Sequence, residues 1–282
     1  MRKPFAVTLV ALAAGVAPIL AAAPTRAHGP LFSPAPETIF KGGTELTLGL
    51  HTEKATGASE HETAYEASVE AEYGLTADWE IGIEVPYARR DLDDGGGTAV
   101  GLGDLTLETK YQFWGRDLPG AQYKAAALLK LKLPSGEDAR TPRLGSGSTD
   151  VIAGLATGYE SRRWYWFASA VYRANTEGGG LEKGDRQFLN LVGGIRPVLT
   201  AYDEPDTVLM LELNWERSAR DDLDGVALAN TGGWELFVSP VIWWTYRQFA
   251  VRGGVQIPVA ENLNGIQPSS DYRARVEFVY HF

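Results

Sequence analysis

Along most of this chain the large apolar residues fall on every second position. Trp79, Ile81, Ile83, Val85 and Tyr87 interleave with Glu80, Gly82, Glu84, Pro86 and Ala88. A helix would scatter those apolar groups around its axis, whereas a strand gathers them on one face and puts both glutamates on the other. The pattern returns at Leu105, Leu107, Thr109, Tyr111 and Phe113, set against Thr106, Glu108, Lys110 and Gln112. It returns at Leu209, Leu211, Leu213 and Trp215 against Met210, Glu212, Asn214 and Glu216, and at Tyr272 to Phe282, where Arg273, Arg275, Glu277 and His281 take the second face. About twelve such segments follow one another, near 43–53, 63–75, 78–88, 103–114, 122–133, 149–160, 163–175, 186–197, 207–217, 233–245, 247–259 and 272–282. Most have the ~9–11 residues that a tilted strand needs to cross a bilayer.

The connections between segments sort by parity. Thr76-Ala77, the turn around Asp117 to Gly120, Ser161-Arg162 and Tyr246 are short; Lys54 to Glu62, Arg89 to Leu102, Pro134 to Ser148, Thr176 to Asp185, Ser218 to Gly232 and Ala260 to Asp271 are longer and polar. Only the stretch Pro197 to Asp206 is long where a short turn is expected. Short turns on one side and long loops on the other predict an all-β, closed antiparallel transmembrane β-barrel of about 12 strands with both termini periplasmic. A secreted β-sandwich, the alternative, would not segregate its loops this way. Closure is required because an open edge in lipid leaves backbone groups unpaired. The apolar faces then meet lipid and the polar faces meet water, so a slip of one residue would turn Glu80 and Glu84 into hydrocarbon. Tyr111, Trp114, Tyr159, Trp164, Trp166, Trp243, Trp244, Tyr246, Tyr280 and Phe282 fall near strand ends on the short-turn side, where an interfacial aromatic girdle belongs.

Composition narrows the picture further. The 282 residues contain no Cys, which excludes disulfides, thiolate metal sites and cysteine nucleophiles. The net charge of -10 argues against a nucleic-acid partner. Arg2 and Lys3 precede an apolar run from Phe5 to Leu20 and the small residues Ala21 to Ala23, the three regions of a secretory signal peptide, expected to span residues 1–27 with cleavage after Ala23 or Ala27. An uncleaved anchor is the alternative, but the run is shorter than the ~20 residues of a helical span. Residues 28–42 carry Pro30, Pro34 and Pro36 with Phe32, Ile39 and Phe40. This is poor strand material, and it predicts either an apolar plug at the periplasmic mouth or an unstructured leader. The barrel takes 43–282.

Alternation assigns Glu45, Glu53, Glu66, Glu70, Glu72, Glu80, Glu84 and Glu108 to the lumen from the early strands. Lys124, Lys130 and Lys132, then Arg173, Arg196, Arg252, Arg273 and Arg275, follow from the later ones. The expectation is an acidic arc facing a basic one, with Arg273 and Arg275 meeting Glu45 where the barrel closes. Such a division either sets a transverse field that selects solutes or fills a narrow interior with paired charges. If cleavage follows Ala27, His28 offers an α-amine and an imidazole suited to Cu(II); His51 and His61 lie too far along the chain to share that metal. The clusters Asp91, Asp93, Asp94 and Asp221, Asp222, Asp224 are weak calcium candidates, and neither fits a full calcium loop. Catalysis by an outer-membrane hydrolase needs Ser and His paired on the outer face, whereas His51 and His281 are predicted inward. The chain is expected to be no enzyme and to carry no cofactor.

Several short motifs resemble one known family. Lys132-Leu133-Pro134-Ser135-Gly136 closes the fifth segment, Gly145-Ser146-Gly147-Ser148-Thr149-Asp150 opens the sixth, and Tyr172-Arg173-Ala174-Asn175 ends the seventh. Gly184-Asp185 starts the eighth and Ser239-Pro240 lies within the tenth. This order resembles the outer-membrane transporter family of the MetA pathway of phenol degradation, and His28-Gly29-Pro30-Leu31-Phe32 is not part of that pattern. The resemblance implies a 12-stranded channel or facilitator in the outer membrane of a Gram-negative bacterium, passing small, often hydrophobic or aromatic molecules. Phe278, Tyr280 and Phe282 resemble the terminal strand that the barrel-assembly machinery recognises, making that machinery and outer-membrane lipid the expected partners. A structural or partner-binding barrel and a metal-associated outer-membrane protein are the alternatives.

Overall fold

A computed structural model describes residues 29–57, 61–92, 97–137, 141–201 and 204–282. The expected signal peptide, His28, Asp93 and Asp94 lie outside the described residues.

The alternating segments form twelve antiparallel strands of one barrel. They are β1 (Thr44–Thr56), β2 (His61–Gly74), β3 (Trp79–Leu92), β4 (Gly97–Leu102 and, after a break, Thr106–Leu118), β5 (Ala121–Lys132) and β6 (Asp150–Ser161). The second half comprises β7 (Trp164–Ala174), β8 (Arg186–Ile195), β9 (Asp206–Ser218), β10 (Gly233–Tyr246), β11 (Phe249–Leu263) and β12 (Ser269–His281). Each strand pairs with its neighbours in chain order, and β1 pairs with β12 as well as β2, so the sheet closes on itself. Among the described residues no helix is long and apolar enough to cross a membrane.

The two faces are inverted relative to a water-soluble core. Leu50, Leu155, Leu191 and Leu211 are 55%, 57%, 60% and 51% exposed on the outside, while Glu80, Glu212 and Glu277 are at most 1% exposed inside. An outward leucine is stabilised only where hydrocarbon replaces water, by about 1.5–3 kcal/mol when fully covered. The aromatic girdle is present on the short-turn side: Tyr123 and Tyr159 lie 4.7 Å apart, Trp244 stacks on Tyr246 at 6.4 Å, and Tyr280 meets Phe282 at 4.7 Å. Trp243 does not belong to it. It is 5% exposed and faces the lumen, since adjacent residues of β10 take opposite faces and Trp244 holds the outer one. In β4 the register shifts between Gln112 and Trp114, a bulge that leaves both Phe113 and Trp114 outside.

Several strands run past their expected outer ends. The β1–β2 ladder continues to Thr56↔His61 and β3–β4 to Leu92↔Gly97, both within segments whose sequence predicts loops. Beyond the bilayer neither face must be apolar, so the alternation fades while the backbone ladder persists. The loops after β7 and β9 combine into a small sheet of Glu177–Gly178, Leu181–Glu182, Asp222–Leu223 and Val226–Ala227. The loop after β5 turns inward, where Leu144 packs on Ala88 and Ala99. Next to the closing pair, β11 and β12 pair from Phe249↔Tyr280 to Gln256↔Arg273; further out β11 pairs with β10 alone and β12 with β1 alone.

Candidate functional site

The segment before β1 runs inside the barrel. Its prolines remove backbone donors and resist strand pairing, and the remaining amides find side-chain acceptors on the wall. The Leu31 N–H donates to Glu212 Oε1 at 2.7 Å, the Phe32 N–H reaches the same carboxylate at 3.3 Å, and Ser33 Oγ donates to Oε2 at 3.0 Å. Further along, the Ile39 N–H donates to Glu80 Oε2 at 2.5 Å. Lys110 joins this second anchor, donating to Glu80 Oε1 at 2.6 Å and to the Glu37 carbonyl at 3.0 Å. Arg252 reaches the Pro30 carbonyl at 3.3 Å. Two buried carboxylates thus hold the segment by its backbone, each bond strengthened by the charge of its acceptor.

Its side chains cover an apolar inner wall. Leu31 is buried against a cluster of Tyr165, Phe167, Val192, Val208, Met210, Val241, Trp243, Ala250 and Val279, with Phe32 packed on its edge. Alternation alone misses this wall, because it gives the inward positions of β7 to β11 a polar character; the signal present is apolar residues on both faces of those strands. Of the expected plug residues, Ile39 is buried and Phe32 partly so, but Phe40 is 39% exposed beside Gly43 at the rim. Its neighbour Ile39 takes the inward direction. Glu37 is buried, and its Oε2 has no hydrogen-bond partner. Burial, and then the charge of Glu160, push its carboxyl up to about 7 against the opposing pull of Lys124 and Lys110.

The expected lumen charges lie inside, but not as two opposed arcs. Most pair sideways: Lys130 with Glu108, Arg252 with Glu277, Arg275 with Glu277 at 2.6 Å, and Arg186 with Glu216 at 3.0 Å. Arg273 crosses to Glu216 at 2.5 Å. The later strands supply carboxylates that the arc picture lacks: Glu216, Glu235 and Glu277 partner the inward arginines, and Glu212 holds the plug amides. At the closing seam Glu45 lies opposite His281, whose Nδ1 is 3.0 Å from it, while Arg275 lies opposite His51 and Arg273 opposite Glu53. The pairing register, invisible in one strand's sequence, decides this. Arg196 follows β8 at the periplasmic rim and pairs with Asp206 at 2.8 Å. Lys124 acts on Glu37.

Among the described residues two cavities open within the lumen. A central one of about 380 Å³ lies between the segment and the barrel wall, lined by Glu45, His51, Glu66, Glu70, Glu84 and Glu108 among others. An outer vestibule of about 750 Å³ opens beyond it, and Glu66 and Glu84 line both. Among the described residues one acidic triad, Glu70, Glu72 and Glu108, brings carboxylate oxygens within 4.8 Å of one another; Lys130 already supplies a countercharge to Glu108. One aspartate of each loop cluster is occupied: Asp91 accepts from Arg89 and Thr98, and Asp221 from the Gly184 N–H.

Motifs far apart in sequence meet at the outer mouth. Asp104, in the break of β4, accepts from the Gly136 N–H at 3.0 Å and the Ser146 N–H at 2.7 Å. Asp150 takes Lys132 at 2.5 Å and Arg173 at 2.6 Å. Asn175 donates to the Gly184 carbonyl at 2.7 Å, and Tyr172 bonds Asp185. Glycine is needed at 136, where a Cβ would stand 2.8 Å from backbone atoms of both Gly103 and Gly145. The Ser239 hydroxyl, farther down, donates to Asn214 at 2.8 Å.

Comparison with known proteins agrees with this architecture. No curated protein matches the sequence. Among solved structures, an outer membrane channel from Pseudomonas putida F1 superimposes with a TM-score of 0.74 at 15% identity, covering 90% of this chain and 100% of its own. The beta domain of the Bordetella autotransporter BrkA follows with a TM-score of 0.53 at 12% identity, covering 85% of this chain and 99% of its own. The similarity to these two is one of fold. The family model described as "Putative MetA-pathway of phenol degradation" matches residues 63–267, which contain every motif joined at the outer mouth. The chain therefore belongs to that family, as a twelve-stranded β-barrel of the outer membrane.

Proposed function

We propose that the barrel is a facilitator for small amphipathic or aromatic molecules, and that residues 29–43 are a displaceable plug in its lumen. The observation that carries this is the inner apolar wall. A water-filled pore gains nothing from turning Phe167, Val208, Met210, Val241 and Trp243 toward its axis, yet all are buried there under Leu31 and Phe32. Such a surface suits the apolar body of a solute, and the plug keeps it dry when no solute is present. The family membership and the fold shared with an outer membrane channel point the same way.

Deleting residues 29–38 and recording planar-bilayer conductance tests the plug: conductance should rise well above that of the intact barrel, and an unchanged value removes the idea. Quenching of tryptophan fluorescence by phenol tests the wall. The deletion variant should show a quenchable component that Trp243→Phe abolishes, and equal quenching in both would exclude solute contact with this surface.

A further inference from the structure

The outer vestibule contains two cations that no carboxylate of the described residues bridges. Arg143 makes one long contact, to the Gly178 carbonyl at 3.5 Å, and lines the cavity. Lys183 lies on the same hairpin that Arg143 touches and lines the same cavity. It faces three further cations, Arg90, Lys132 and Arg173, with Asp221 as the opposing charge. Lys132 and Arg173 are already committed to Asp150, and Asp221 to the Gly184 N–H. Burial, and then Arg90, hold the Lys183 ammonium below the usual lysine range, with Lys132 and Arg173 adding to the effect and Asp221 opposing it. The wall of the vestibule also carries carboxylates, among them Glu66, Glu84, Glu216 and Glu235, but Arg90, Lys132 and Arg173 act on Lys183 itself, and an anion beside it relieves that repulsion.

Apolar surface stands beside the cations. Leu144, Leu181, Trp234 and Leu263 line the same 750 Å³. A ligand that satisfies both features carries one anionic group on an apolar body. We propose that the outer vestibule is a binding site for a small organic anion, a carboxylate or sulfonate, gripped between Lys183 and the fork of Arg143. This deepens the facilitator reading and rests on it for its biological sense, since it names the charged end of the solute received at the outer face.

Calorimetric titration of the whole folded barrel in detergent with benzoate, and with benzamide as the uncharged isostere, tests the site. Benzoate should bind saturably and at least tenfold more tightly than benzamide. Lys183→Gln and Arg143→Gln should each weaken benzoate tenfold or more and leave benzamide unchanged, while Lys183→Arg preserves binding and the exterior Lys54→Gln has no effect. Benzoate affinity should also fall with rising pH before an ordinary lysine would titrate. Equal binding of benzoate and benzamide, or undiminished benzoate binding in both Gln variants, overturns the proposal. Conductance recorded on the same preparations separates the two readings: a conducting barrel without charge-selective binding sinks this site alone, whereas binding without any conductance, even after deletion of the plug, sinks the facilitator.

Discussion

Replacing Glu212 with alanine should release the plug without deleting it. Glu212 is fully buried and accepts from the Leu31 N–H, the Phe32 N–H and Ser33 Oγ at 2.7, 3.3 and 3.0 Å. A hydrogen bond to a charged group contributes about 1.5–3 kcal/mol net. Counting only the two shorter bonds, at the lower value because the freed donors regain water, the docked state loses about 3 kcal/mol. At about 1.4 kcal/mol per tenfold, that shifts the docking equilibrium roughly 150-fold toward release. Single-channel recording reads it as the fraction of time in the high-conductance state, with the 29–38 deletion as the ceiling. Glu212→Gln, which keeps an acceptor oxygen but loses the charge, should fall between. If the alanine variant opens no more often than the intact barrel while the deletion does, the carboxylate is not the anchor. If both variants combined open further than the deletion alone, Glu212 acts on something other than residues 29–38.

Glu37 makes docking pH-dependent. Its carboxyl titrates at about 7 when docked and near the ordinary 4.5 when free, so the docked state binds the proton more tightly; docking is strongest below the free value and weakens as pH rises through about 7. Conductance should climb over that window in the native barrel and stay flat in Glu37→Gln, and a parallel climb in both would assign the effect elsewhere. Leu211→Arg puts a charge on the lipid face of β9, where Leu211 is 51% exposed, and should cost about 2–4 kcal/mol at the bilayer midplane, read by urea unfolding in liposomes; a loss below about 0.5 kcal/mol, on the order of a neutral surface change, would contradict lipid on that face. Gly136→Ala forces backbone apart at Gly103 and Gly145, and should expose the loop after β5 to protease added outside, leaving strand content by circular dichroism unchanged.

The strands are legible because one constraint acts on every second residue: hydrocarbon tolerates no charge, so Trp79 to Tyr87 can be read without any partner in view. The outer strand ends are not, since Lys54 to Thr56 and Gly97 to Leu102 lie where neither face has to be apolar and the ladder is held by backbone alone. Site residues divide similarly. That Glu80 and Arg252 point inward follows from alternation, but their partners depend on register and on strands distant in sequence, so the arcs dissolve into pairs such as Arg252 with Glu277. Trp243 misleads because two adjacent tryptophans near a turn both satisfy the composition of a girdle, and only one can face lipid. The motifs signal the outer mouth without revealing that Asp104, outside all of them, ties Gly136 to Ser146.

The inner wall and the plug explain each other energetically. Strands β7 to β11 carry apolar residues inward because the medium they meet is Leu31 and Phe32, not water. The plug is covalently tethered through Thr44 at the start of β1, so it competes for that wall at the millimolar effective concentration typical of a short linker. A solute in dilute solution cannot match this by burying apolar area alone, since Leu31 already gains about 1.5–3 kcal/mol by the same means. Displacement therefore needs a lever besides hydrophobic contact, and the carboxylate anchors provide one. Glu80 shares its charge between the Ile39 N–H and Lys110, which also holds the Glu37 carbonyl. A change at either group, loss of the Glu37 proton or movement of Lys110, loosens the plug without touching the wall itself, which keeps opening separate from the surface that receives the solute.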